Sequence, residues 1–184
     1  MNKKFFLAAL VAATTMTLGF TSCSEDEDDP KMEEQEPAKK ANDEVAGNYT
    51  GGIYGSFRYM PKYLPEEGQT ITITANEDSE TATVTFSHST WGEFLYEEVS
   101  VTKNEDGSYS LAGEGNCVVL PRYGGGAASG AEAQTYATDF TGTIVDGKLV
   151  AVLDIPTMMQ GGTKIYFNPE DFEEVLASAN QPEE

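Results

Sequence analysis

Residues 133–155, AQTYATDFTGTIVDGKLVAVLDI, hold two β-strands and the turn between them. In the second half Leu149, Ala151, Leu153 and Ile155 recur at every other position, the period that puts one face of a strand against a core. Asp146-Gly147 separates the halves, and Asp-Gly between apolar-alternating runs is a strong two-residue hairpin signal. The same alternation spreads outward in both directions. Val45–Tyr59 carries Tyr49, Ile53, Phe57 and Tyr59 at odd positions, with Tyr54 as the exception among polar even ones. Thr70–Ala75, Thr81–Ser87, Glu93–Lys103, Ser108–Leu120 and Thr163–Phe167 bring the count to eight strands. In Glu93–Lys103 the spacing groups Leu95, Val99 and Val101 on one face, against Phe94 and Tyr96 on the other.

The connections choose among all-β architectures. Those after strands two, four and six are compact and acidic: NEDSE (76–80), NEDG (104–107) and DG (146–147). Those after strands one, three, five and seven are MPKYLPEEG (60–68), HSTW (88–91), PRYGGGAASG (121–130) and PTMMQGG (156–162). In a meander the odd connections share one end and the even ones the other. The sequence therefore predicts an all-β, eight-stranded antiparallel up-and-down barrel over residues 45–168, with a tightly turned floor and a varied mouth.

Gly47-Asn48-Tyr49, opening the first strand, resembles the lipocalin Gly-x-aromatic start. TWGEF (90–94), GSYSLAGEG (107–115), Gly142-Thr143-Ile144 and the closing run Gly162–Phe167 resemble Bacteroidetes lipoproteins with a calycin-like β-barrel domain. The resemblance spans residues 46–167. It implies the fold and carries no catalytic assignment.

The N-terminus supplies an address. Lys3-Lys4, an apolar run from Phe5 to Leu18 too short to span a bilayer, and small residues ahead of Cys23 form a secretory signal. With the cysteine at the cut, residues 1–22 read as a lipoprotein signal peptide and Cys23 as the lipidation site. The acyl chains would tether the protein to a membrane without a spanning helix. The acid run Ser24–Asp29 resembles an export signal to the outer cell surface. The expected location is the outer membrane, lipid-anchored and facing the cell surface, with the periplasmic face as the alternative.

The chain carries 31 acidic against 11 basic residues, a formal −20. Acids concentrate in residues 23–44, read as a disordered acidic linker, and in the tail 169–184. Within that tail Glu170–Ala179 is a possible short helix with Phe172, Val175 and Leu176 on one face. An acidic surface lacks the basic footprint that nucleic acid requires. Cys117, in a Val-rich strand, reads as a small buried hydrophobe.

Catalytic readings fail on residue type and spacing. His88 is the one histidine, so no zinc set can be assembled. No nucleophile elbow is present, and Gly124-Gly125-Gly126 lacks the Lys-Ser/Thr and helix of a phosphate loop. Glu97 and Glu98, adjacent on a strand, should point apart, so no acid/base pair forms. No metal, cofactor or enzymatic activity is expected. The mouth is the better candidate: Tyr59, Met60, Tyr63, Leu64, Trp91, Tyr123, Met158 and Met159 surround one opening, with Arg122 the cation among them. The expected function is non-catalytic binding of a small apolar or amphipathic ligand there. The alternative is a filled barrel acting as a protein or glycan interaction module of an outer-membrane assembly.

Overall fold

The computed structural model describes residues 39–180, apart from residues 121, 124, 125 and 128–131, and describes no side chains across 121–131. Cys23, the signal peptide and the linker up to residue 38 lie outside the described residues, as do residues 181–184. Helix α1 (Ala41–Val45) leads into strands β1 (Gly47–Phe57), β2 (Met60–Ala75), β3 (Thr81–His88), β4 (Gly92–Lys103) and β5 (Tyr109–Val119). A two-rung ribbon, β6 (Arg122–Tyr123) with β7 (Gly126–Ala127), precedes β8 (Gln134–Val145), β9 (Lys148–Ile155), β10 (Thr163–Phe167) and helix α2 (Phe172–Ala179). Eight strands close into an antiparallel barrel in chain order, with β1 joined to β10. The Asp146-Gly147 turn has positive φ at both residues, 50° and 74°, the geometry that matches the twist of a tight hairpin.

The first strand connection departs from expectation. Residues 60–68 are strand rather than loop, and β1 turns into β2 through Arg58-Tyr59 alone. Pro61, Pro65 and Gly68 read as loop residues, yet β2 tolerates them by bulging. Its register against β1 slips repeatedly between Gly51 and Phe57, and both prolines fall at unpaired positions where a missing N–H costs nothing.

A second bulge corrects the face assignment in β4. Residues 96–99 stand opposite only 113–115 of β5, so the alternation changes phase there. Phe94 and Tyr96 point inward with Val99, while Leu95 lies outside. Glu97 and Glu98 are both exposed at the bulge, so they do not point apart as an unbroken strand would require. Tyr54, the apolar exception in β1, faces outward and is buried beneath α2 with Tyr166 and Val175.

The floor is shut by α1, not by a tail helix beneath it. Residues 41–44, expected in the linker, form this helix instead. Val45 joins the barrel core. Buried Asn42 donates to the carbonyls of Asn76, Ser79 and Thr81 at the β2–β3 turn. Glu44 accepts from Lys103 and Tyr109 beside the β4–β5 turn. Inside, Ile53, Ile71, Ile73, Val84, Tyr96, Phe140, Leu153 and Phe167 are fully buried. Burial of each such side chain contributes about 1.5–3 kcal/mol.

Candidate functional site

The mouth is built around His88, the last residue of β3. Its Nδ1 accepts the backbone N–H groups of Thr90 (3.0 Å) and Trp91 (3.3 Å), which fixes the β3–β4 turn. That leaves Nε2 carrying the proton, which it donates to Glu66 Oε2 of β2 at 3.0 Å. The ring also stacks on Phe86. The single histidine is thus a buried clamp between a turn and the neighbouring strand. Nothing in the sequence pairs Glu66 with a residue 22 positions away, and this contact was not legible before the fold.

The clamp aims Trp91 across the open end. The indole lies against Gly55 of β1, where a Cβ would stand 2.2 Å from the ring, so only glycine admits it. Tyr63 meets the indole edge-on at 6.0 Å and Phe57 packs on Tyr63 at 5.5 Å. The Trp91 carbonyl accepts the Cys117 thiol, whose burial pushes its pKa up to about 12. Met158, held in the loop before β10 by donating its N–H to the Ile155 carbonyl and accepting the Thr163 hydroxyl at its own carbonyl, fills the rest.

The predicted mouth residues therefore separate into two sets. Trp91 and Met158 are 3% and 7% exposed and belong to the barrel core. Tyr59, Met60 and Met159 are 75%, 48% and 57% exposed at the β1–β2 turn and the neighbouring β9–β10 loop, and Tyr63, exposed at 38%, stands between the sets. Arg58 covers the Tyr59 ring at 5.4 Å. Leu64 sits in β2 with φ at 53°. Arg122 and Tyr123 lie on the β6–β7 ribbon, where side chains are outside the described set.

Two further features complete the geometry. A rim cleft of about 470 Å³ opens beside His88, Thr90, Glu93, Val118 and Leu120. Trp91 Nε1 is buried without a hydrogen-bond acceptor among the described residues. On the outer wall, Glu97, Glu98 and Glu114 share a polar cleft with Asn76 and Asn116. Among the described residues no group of three or more His, Cys, Asp or Glu side chains is arranged to hold a metal ion. No helix among them is long and apolar enough to cross a membrane.

A family model of the calycin-like β-barrel domain matches residues 45–168, the whole barrel from the end of α1 to Asn168. The chain belongs to the calycin-like β-barrel domain family. This calycin-like barrel is also similar to a crystal structure described as that of a "putative outer membrane protein" from Bacteroides fragilis NCTC 9343. The two share 28% sequence identity with a TM-score of 0.55 over 70% of this chain and 45% of that one. The calycin-like chain thus spans less than half the length of that protein. Among the curated proteins none matches it.

Proposed function

We propose that this calycin-like chain is a non-catalytic lipoprotein of the outer membrane whose filled barrel presents its mouth to another envelope protein. One observation carries the reading: Trp91 and Met158 are drawn into the core, while Tyr59, Met60 and Met159 remain outside. A barrel plugged in this way offers surface rather than volume. Exposed aromatic, thioether and arginine side chains together have the composition of a protein interface core, and methionine favours a protein over a glycan partner. Cys23 supplies the anchor in this reading. α1, through which the described chain enters the barrel, lies at the opposite end from the Tyr59 tip.

The test is photo-crosslinking in host cells from a benzoylphenylalanine at position 159. One discrete protein adduct is expected, lost in the Tyr59→Ser/Met60→Ser double variant, because removing interface anchors typically weakens binding by about tenfold or more. Absence of a discrete adduct, or one indifferent to the double variant, overturns the reading. Labelled palmitate should enter the wild-type chain and not Cys23→Ser.

A second reading is favoured by the unpartnered Trp91 Nε1. A small molecule with a hydrogen-bond acceptor would sit under the indole after it swings outward. Native mass spectrometry of host-purified protein decides this: a bound species lost in Trp91→Phe supports it, and clean apo protein removes it.

A further inference from the structure

The barrel is closed by its shortest strand. β10 holds β1 through Ile53–Phe57 and β9 through Ala151–Ile155. Both neighbours continue past it toward the floor, β1 to Gly47 and β9 to Lys148, and they do not pair with each other. A cleft of about 450 Å³ lies in this seam, between Asn48–Thr50 on one side and Gly147–Val150 on the other.

The backbone phase says what faces the seam. Gly52 directs both its N–H and its C=O to Asn168 on the β10 side. Alternation then turns the N–H and C=O of Thr50 and Asn48 the same way, while Gly47, Tyr49 and Gly51 bond to β2. Across the seam, Leu149 presents its carbonyl to Asn168 Nδ2 at 2.9 Å, so its N–H also points in. The side chain of Asn168 imitates the next peptide group of a strand: Oδ1 accepts from Gly52 at 3.0 Å while Nδ2 donates to Leu149. The backbone at Asn168 takes a φ of 48° and leaves for α2, so none of the described residues makes the following rungs. A Cβ added at Gly47 or Gly147 would meet nothing within 4 Å.

We infer that this seam is a strand-addition site. It takes an extended polypeptide segment of about five residues that continues β10 toward the floor and pairs with β1 and β9 together. Thr50 and Asn48 offer donors and acceptors on one edge and Leu149 offers its N–H on the other, an arrangement that a polypeptide backbone meets. Alternate side chains of the occupant point at Tyr49 and Leu149, so those positions are apolar. Lys148 is the one charged residue lining the cleft, so the seated residues are uncharged, while the 15 acidic against 6 basic residues of 45–168 favour flanking lysines over the chain's own acidic ends or a second copy. The seam lies at the opposite end of the barrel from the Tyr59 tip, so either site stands or falls alone.

The probe is acetyl-Lys-Thr-Val-Thr-Val-Lys-amide, titrated into the ¹⁵N-labelled mature chain, with a control peptide N-methylated at alternate residues. Amide shifts and hydrogen exchange slowed by about tenfold are expected at Asn48, Thr50 and Leu149. Tyr49, Gly51 and Val150, bonded to other neighbours, should not change, and the methylated peptide should do nothing. No response at millimolar peptide, or an equal response to the methylated control, overturns the inference. So does protection of these amides in the free monomer, or protection that appears on dimerisation without peptide.

Discussion

Cys117 shows how far one residue's chemistry is set by its surroundings. Its thiol is fully buried, donates to the Trp91 carbonyl, and is pushed up to about 12 by desolvation. Thiolate is the reactive form, so iodoacetamide at pH 8 should leave Cys117 unmodified in the native chain and alkylate it fully in guanidinium, as read by the mass of its peptide. Asn42 makes the opposite kind of point, a polar side chain buried because its amide donates to three carbonyls of a turn. Asn42→Ala removes the side-chain donor to the Ser79 carbonyl, while the Asn76 and Thr81 carbonyls keep backbone N–H donors, and should cost about 1–3 kcal/mol in urea unfolding. Glu44 works beside it. Hydrogen bonds from Lys103 and Tyr109 hold its carboxyl below the ordinary value of 4.5. A depressed carboxylate contributes stability that is complete above that ordinary value and is lost as pH falls through the lower folded one. The α1 cap should therefore loosen below about pH 4.5 in a way that Glu44→Gln, already uncharged, does not show; amide exchange at Val45 is the readout.

At the scale of elements, the two helices are the parts that alternation could not announce. α2 has no side-chain cap at its first turn, and a helix of eight residues is marginal alone. It persists because Phe172 and Val175 bury against Tyr54 and Tyr166, and because Asp171 bonds to Lys62 and to the Tyr54 hydroxyl. Gly52 makes the seat: a Cβ there would lie 2.2 Å from the Phe172 ring. Gly52→Ala should eject α2 while the barrel stays closed, seen as rapid proteolysis after Asn168 with the tryptophan emission unchanged. Strand existence was legible because each run keeps enough period-two alternation to be read locally, even where a bulge shifts its phase. Strand extent was less so, since Pro61 and Pro65 mark a loop in sequence and only the pairing with β1 reveals bulges. The face of Leu95 was misread for the same reason, because an extra residue in β4 leaves no compositional trace. Tyr54 did leave one, an aromatic on the polar face, and α2 explains it.

For the whole molecule, the alternation of compact acidic turns and longer connections was enough to give eight strands, their order and two unlike ends. It could not show whether the barrel is hollow, because that depends on where one indole ring turns, and Gly55 decides it from 36 residues away. The same closure has a consequence in time. Seven of the eight seams join strands adjacent in the barrel meander, but β1 waits for β10, more than a hundred residues later. A chain appearing from its N-terminus cannot shut its first strand into a wall until Thr163–Phe167 arrives, so it travels as an open ribbon for nearly its whole length. Deleting residues 163–184 should leave a chain without cooperative thermal unfolding, by circular dichroism, although seven strands remain. Five residues, Thr163–Phe167, act as the latch that turns an open ribbon into a closed body.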